Sequence, residues 1–179
     1  MKATGIVRRI DDLGRVVIPK EIRRTMRIRE GDPLEIFTDN NGEVIFKKYS
    51  PIGELSAFAG DYGDCLNKIS GYPVIVCDRD HVVSVAGMPK KEVLERRITP
   101  QLEDMMDLRK THALSSDSKR LHPVEGVDRF ALVASPIVAA GDVVGSVMLM
   151  AQENGAVSSE TEVKLVQTAA AFLGRQMEE

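Results

Sequence analysis

The fold of this chain is decided by residues 4–19, TGIVRRIDDLGRVVIP, near its N-terminus. Apolar β-forming residues alternate with arginine over residues 4–10, residues 11–14 have the composition of a turn, and residues 15–18 resume the strand pattern. The stretch predicts two short strands joined by a tight turn in which Gly14 relieves the backbone. Pro19 then suits the first position of a short helix over residues 21–27, because a proline leaves no N–H unpaired there.

Two further strands complete a small N-terminal module. Residues 34–38 and 44–48 have strand composition, and residues 39–42, DNNG, form the turn between them. About fifty residues is close to the lower size limit for a stable core that has neither a disulfide nor a metal. We therefore expect a dimer, in which the strands of two copies interleave and cover each other's edges.

Charge is sorted along the chain. Residues 1–29 carry nine Lys/Arg against three Asp/Glu, whereas residues 51–179 carry thirteen against nineteen, and the net charge is -3. Attraction to a polyanion depends on the local patch, because exposed charges are screened within about 8–10 Å. The N-terminal module is therefore predicted to bind double-stranded DNA, and a solvated charged surface is the alternative.

The composition changes at residues 50–53, SPIG, where we predict a domain boundary. The predicted domains are residues 1–50, a linker over residues 51–55, and residues 56–179. Apolar periodicity predicts helices over 54–69, 90–96, 100–110 and 159–177, and strands over 73–77, 82–86, 130–139 and 143–151.

This order of elements predicts an α+β domain. Its first and last helices are expected to pack on one side of a central antiparallel sheet. Ser159 and Glu162 have the spacing of a capping box at the start of the last helix. Apolar surface left on these two helices would join a second subunit as a four-helix bundle and produce a homotetramer, unless one subunit uses that surface up.

The chemistry-bearing residues predict no catalytic or metal site and no cofactor. The three histidines, His81, His112 and His122, are dispersed, and Cys65 and Cys77 lack CxxC spacing and are predicted to be buried thiols. Phosphate-binding and dinucleotide-binding glycine motifs are absent from the sequence. The most apolar run, residues 143–151, is well short of the roughly 20 residues that cross a bilayer. Without an apolar signal core, the protein is predicted to be cytoplasmic and not membrane-bound.

Residues 4–19, continued by residues 21–25 and 47–49, resemble the AbrB-type swapped-hairpin transcription regulators. The resemblance implies an interleaved dimeric β-barrel for residues 1–50 and, from the order of elements, a GAF-like domain for the remainder. This pairing of domains resembles regulators that activate and repress forespore genes during sporulation. It implies a nucleoid-associated protein of the forespore.

The resemblance also implies which residues contact DNA. By position, the family's DNA-contacting arginines fall on Arg8, Arg15, Arg23 and Arg24. The guanidinium group suits this role because its rigid fork can bind phosphate or guanine through two hydrogen bonds. Few side chains in the module suit adenine, so the shape of A·T-rich DNA is expected to contribute. Cations with the right charge but an undecided orientation, for which solvation is the alternative, are Lys2, Arg9, Lys20, Arg27 and Arg29.

A GAF-like domain implies a pocket for a small effector that we cannot name. By order of elements, its lining would include Val76, Val85, Met105, Met106, Leu132 and Val147. A plain core, with the domain serving only oligomerisation, is the alternative.

Two other functions are compatible with the sequence. Swapped-hairpin modules also occur in antitoxins that repress their own toxin–antitoxin operons, and those proteins continue into a flexible toxin-wrapping tail. The other alternative is a metabolic ligand-binding protein with an incidental basic arm, which would not bind DNA even at low salt. A stable C-terminal domain favours the transcription regulator over the antitoxin.

Overall fold

A computed structural model describes residues 4–178, and the chain divides into two compact units between Tyr49 and Ser50. Residues 51–55, expected to be a linker, instead contain a short helix, and Ile52 is fully buried in the core of the C-terminal unit. This segment is therefore part of the C-terminal unit. Within residues 4–178, none of the helices combines the length and apolar character that crossing a bilayer requires.

The N-terminal unit contains one helix and one hairpin. Helix α1 is Lys20–Thr25, and strands β1, Leu34–Thr38, and β2, Val44–Lys48, pair antiparallel. The turn between the strands is held by Asp39, whose carboxylate accepts hydrogen bonds from the backbone N–H groups of Asn41 (3.0 Å) and Glu43 (2.8 Å). These bonds lower the pKa of Asp39 below its ordinary value, the bond from Glu43 having the largest effect.

The two strands predicted over residues 4–10 and 15–18 are not formed within the described chain. Their turn is present, since Asp11 donates its N–H to the Arg15 carbonyl (3.0 Å) and Gly14 has a positive φ of 75°. A strand needs a neighbouring strand to pair with, and within one copy β1 and β2 pair only with each other. The two predicted strands are therefore absent from a single copy of the chain, whereas the turn between them is formed as predicted.

The C-terminal unit is an α+β domain built on a five-stranded antiparallel sheet in the order β4-β3-β7-β6-β5. The helices are α2 Pro51–Glu54, α3 Ser56–Ser70, α4 Lys90–Val93, α5 Pro100–Asp107 and α6 Glu160–Gln176, and the strands are β3 Val74–Cys77, β4 Val82–Ala86, β5 His112–Ala113, β6 Ala131–Ala139 and β7 Asp142–Met150. Helix α4 ends earlier than the predicted residue 96, because the backbone of Glu95 pairs with Val82 at the edge of β4 (2.9 Å).

The sheet separates two hydrophobic cores. Successive side chains of a strand point to opposite faces. On β3, Val74 and Val76 accordingly pack in the core that includes α3 and α6, whereas Ile75 and Cys77 pack in the core that includes α4 and α5. Helices α3 and α6 share one face, as predicted, and the ring of Phe172 on α6 lies 5.4 Å from that of Tyr62 on α3.

The start of α6 has the predicted capping box. The Ser159 hydroxyl accepts a hydrogen bond from the Thr161 N–H (3.2 Å), and Glu162 accepts one from the Ser159 N–H (2.6 Å). The Ser159 hydroxyl also donates to the Glu162 carboxylate, and this bond is the main reason that the pKa of Glu162 is lowered. The first turn of α6 is therefore closed by its own side chains.

The two cysteines differ in environment. Cys77 is buried, its thiol donates to the Ser146 carbonyl (3.6 Å), and burial raises its pKa. Cys65 is exposed on α3, so the prediction that both thiols are buried is wrong for Cys65. Apolar periodicity placed it beside the buried face, but a small side chain at the border of a helix stripe is not forced inward.

We expect His112 to make the C-terminal unit less stable at acidic pH. Its Nε2 atom is buried without a hydrogen-bond partner among the described residues, and burial lowers the pKa of the imidazole below its ordinary value. The unfolded chain therefore binds more protons as the pH falls below about 6.5, and the free energy of unfolding falls with it. Urea denaturation from about pH 8 to 5 measures this slope. His112→Phe should reduce the slope, and an unchanged slope would contradict the assignment.

Candidate nucleic-acid interface

The turn at residues 11–15 orients Arg15. The Asp11 carboxylate accepts hydrogen bonds from the N–H groups of Leu13 (3.0 Å) and Arg15 (2.7 Å), and it also receives Nε–H of the Arg15 guanidinium (2.8 Å). The bonds from Arg15, the backbone N–H first and the side chain second, lower the pKa of Asp11. The ion pair uses only Nε, so the two terminal nitrogens of Arg15 are geometrically available to a phosphate.

Helix α1 carries Arg23 and Arg24 next to each other. Helix α1 begins at Lys20, so Pro19 is its N-cap and not, as predicted, its first residue. The Pro19 carbonyl accepts the Arg23 N–H (2.9 Å). Arg24 is exposed, whereas Arg23 is partly buried and its Nε has no partner among the described residues. The helix contains no buried residue, so none of its side chains is part of a hydrophobic core within this copy.

The remaining candidate cations fall into three groups. Arg8, Arg9 and Lys20 are exposed. Arg27 and Arg29 are half-buried and have contacts within the chain, and the Arg29 N–H donates to the Asp32 carboxylate (2.8 Å). Lys2 lies outside the described residues.

One contributor to this surface was missed by the sequence reasoning. Asp11 holds the Arg15 backbone and guanidinium together through an i,i+4 contact. The signal was present in the sequence DDLGR, since an aspartate at the first position of a turn commonly accepts hydrogen bonds from the residues that follow. Asp11 therefore orients the Arg15 side chain and does more than balance its charge.

The N-terminal unit exposes most of its large apolar side chains. Val7 is 88% exposed, Ile10 and Val17 are each 70% exposed, and Ile36 is 62% exposed. Apolar surface of this extent, spread over both unpaired segments and the hairpin, marks an interaction surface. The basic residues and the apolar surface thus occur in the same small unit.

The predicted effector pocket is not formed by the residues expected to line it. Val76, Leu132 and Val147 belong to the core with α3 and α6, whereas Val85 and Met106, with Met105 packed against them, belong to the core on the opposite face. The strand alternation that separates the two cores therefore also separates these six residues, and the predicted lining is wrong. Within the described residues no His, Cys, Asp and Glu group could hold a metal ion.

Comparisons with known proteins match both units. Residues 54–178 match the family described as stage V sporulation protein T C-terminal, transcription factor, and residues 7–53 match the family described as antidote-toxin recognition MazE, bacterial antitoxin. The chain is 55% identical over 181 aligned positions, 100% of both chains, to stage V sporulation protein T of Bacillus subtilis (strain 168). It is 46% identical over 76 residues, 42% of this chain and 77% of the relative, to transition state regulatory protein AbrB of the same organism.

Two solved structures each match a part of the chain. The solution structure of the N-domain of the transcription factor AbrB is 61% identical, covers 28% of this chain and 96% of its own, and has a TM-score of 0.26. The GAF domain/HD domain protein from Geobacter sulfurreducens is 20% identical, covers 71% of this chain and 95% of its own, and has a TM-score of 0.48.

Proposed function

This chain belongs to the stage V sporulation protein T family of sporulation transcription regulators, and we propose that it acts by binding double-stranded DNA through its N-terminal units. The observation that carries the proposal is that two hydrogen-bonded local elements, the turn at residues 11–15 and helix α1, carry guanidinium groups. The Asp11 turn holds Arg15, and α1 presents Arg24 and its neighbour Arg23. Arg8 is the fourth contact residue in the proposal.

The binding is expected to be electrostatic to a large extent. Each phosphate that the protein neutralises releases condensed counterions, so log affinity falls against log salt with a slope of about -0.9 per contact. Fluorescence anisotropy with an A·T-rich duplex over a salt series tests this. A slope near zero, or no binding at low salt, would contradict the proposal and would favour a ligand-binding protein with an incidental basic arm.

We propose a second copy of the chain as the partner of the exposed apolar surface in the N-terminal unit. Residues 4–10 and 15–18 are strand-like in sequence and lack intrachain strand partners, and Val7 and Val17 are exposed. Pairing these segments between two copies supplies the missing backbone hydrogen bonds and removes apolar surface from water, which is worth about 25 cal/mol per Å². The resulting arrangement is the interleaved barrel expected from the sequence.

Val17→Lys is expected to dissociate this dimer and to weaken DNA binding with it. The added charge should attract DNA, so a loss of binding must come from a loss of assembly. Asn40→Lys adds the same charge at an exposed turn and is the matched control. Sedimentation velocity gives the mass, and anisotropy gives the affinity. Equal DNA affinity and equal mass for the two variants would contradict the proposed dimer.

The C-terminal unit supports a regulator and not an antitoxin. The antitoxin alternative predicts a flexible tail, whereas residues 50–178 form a sheet with two buried cores. We further propose tetramer formation through α3 and α6, where Phe172 is 42% exposed next to Phe58 and Tyr62. The sedimentation mass of the wild-type chain tests this as well. We propose no catalytic reaction for this chain. We propose that a small effector regulates its DNA binding through the C-terminal unit.

A further inference from the structure

The turn between β3 and β4, residues 78–80, is closed by hydrogen bonds of Asp78, and we name it the aspartate turn. The Asp78 Oδ1 atom accepts hydrogen bonds from the N–H groups of Asp80 (2.7 Å) and His81 (2.6 Å). The Asp78 N–H donates to the His81 carbonyl (2.9 Å). Hydrogen bonds to a carboxylate are stronger than bonds between neutral groups. Together with the backbone bond, they connect Asp78 at the start of the turn to His81 at its end.

One arm of the aspartate turn holds Ser50. The Ser50 hydroxyl donates to Asp78 Oδ2 (3.0 Å) and accepts the Gly53 N–H (3.1 Å), which caps helix α2. Ser50 is the first residue of the C-terminal unit and follows directly on Tyr49, the last residue of the N-terminal unit. Ile52, two residues later, is fully buried. The aspartate turn therefore holds Ser50, the residue at which the chain enters the C-terminal unit, through a hydrogen bond.

The other arm of the aspartate turn holds helix α5. The Arg79 Nη2 atom pairs with Asp107 Oδ1 (2.5 Å) at the end of α5, and Nη1 donates to the Val143 carbonyl (3.4 Å). The Arg79 Nε atom is buried without a partner among the described residues, so the bonds of the two terminal nitrogens hold the guanidinium in place. Helix α5 buries Leu102 and Met106 completely in the core on the face opposite α3 and α6.

We propose that the aspartate turn fixes the junction residue Ser50, through which the DNA-binding unit is attached, and couples this junction to α5. A displacement of α5 moves Asp107, Arg79 transmits the movement to the turn, and Asp78 transmits it to Ser50. The inference rests on the proposed DNA-binding function and adds to it the residues through which the C-terminal unit acts on DNA binding. Ser50, Asp78, Arg79 and Asp107 are thereby positioning residues that need not touch DNA.

This positioning matters when several DNA-binding units of one oligomer occupy the same duplex. The second contact is then intramolecular, and its effective concentration depends on how the attachment points are held. The affinity for a short duplex, which accommodates only one DNA-binding module, does not depend on how the attachment points are held. The length of the DNA therefore separates positioning from direct contact.

The test uses the full chain as Ser50→Ala, Asp107→Ala and the double variant. Affinities are measured by anisotropy for A·T-rich duplexes of about 15 and about 60 base pairs, which accommodate one and several binding modules. Each single variant is expected to bind the long duplex at least about threefold more weakly and the short duplex unchanged. The double variant should be no weaker than the weaker single variant, because both substitutions interrupt one path.

Ser158→Ala is the matched control, since its hydroxyl donates to the Leu114 carbonyl (2.9 Å) elsewhere in the same unit. It should leave both affinities unchanged. Additive effects of the two substitutions, or equal losses on both duplexes, would overturn the coupling. A Ser158→Ala protein that binds the long duplex as weakly as the test variants would overturn it too.

Hydrogen exchange keeps this inference separate from the DNA-binding proposal. In Asp107→Ala, the amides of residues 50–54 should exchange faster than in the wild-type chain, while those of residues 160–176 should not change. Unchanged exchange over residues 50–54 would overturn the coupling even where DNA binding is intact. Failure of the wild-type chain to bind either duplex would overturn the proposed function, and accelerated exchange would then still support the mechanical link.

Discussion

The double substitution Arg23→Ala/Arg24→Ala is expected to weaken binding to an A·T-rich duplex by at least tenfold at fixed salt. Arg24 is exposed on α1, and Arg23 lies next to it. A guanidinium group can bind phosphate or guanine through two hydrogen bonds, and a good base contact is worth about 1–3 kcal/mol. The slope of log affinity against log salt should also become less steep, by about 0.9 for each phosphate that the variant no longer neutralises.

The matched control for this result is Lys90→Ala/Lys91→Ala. These two lysines are also adjacent, exposed and located on a short helix, but they belong to the C-terminal unit. The two double variants therefore change the net charge equally. Anisotropy over a salt series compares them, and circular dichroism verifies that each remains folded. Equal affinities of the two variants would remove Arg23 and Arg24 from the DNA-binding surface.

Gly145→Ala is expected to destabilise the C-terminal unit by about 3 kcal/mol or more, at the upper end of what overpacking of a core costs. A Cβ atom at Gly145 would lie 2.1 Å from the Cys77 carbonyl oxygen and 3.2 Å from the Asp78 Cα. Both obstacles are backbone atoms, so no side-chain rotation relieves the overlap. Strand β7 pairs with β3 on one side and β6 on the other, which leaves it little room to move.

Gly63→Ala is the matched control for the glycine substitution. Gly63 is also buried, but its added Cβ would lie 3.8 Å from the side chains of Ala86 and Val74, an ordinary contact distance. Because Gly63 lies within α3, alanine should leave stability unchanged or raise it by up to about 1 kcal/mol. Urea denaturation of both variants measures the difference. A Gly145→Ala protein as stable as Gly63→Ala would show that the strand accommodates the methyl group.

Elements defined by local patterns were predicted closely from the sequence. Helix α6 begins after Ser159 with its capping box formed, and β4 spans the predicted residues Val82–Ala86. Apolar periodicity and end signals are properties of neighbouring residues, so they can be recognised without knowledge of the rest of the chain. The same holds for the turn at Gly14 and for the concentration of cations near the N-terminus.

Predictions that required a specific spatial arrangement were less successful. The residues chosen for an effector pocket, such as Val76 and Met106, lie on opposite faces of the sheet. Order of elements alone does not state which face a residue occupies, because a shift of one residue along a strand reverses the face. The predicted strands over residues 4–10 and 15–18 also have no partner within one copy. Their pairing is a property of the assembly in our proposal.

The family, the division into two units, and most helices and strands of the C-terminal unit follow from the sequence, although the short elements α2 and β5 do not. Tertiary structure alone decided the strand order and the two contacts of the aspartate turn, Ser50 with Asp78 and Arg79 with Asp107, each across 28 residues of sequence. The physical reason is that local propensities act between near neighbours. Contacts between distant segments are selected by the packing of the whole unit, which no local pattern encodes.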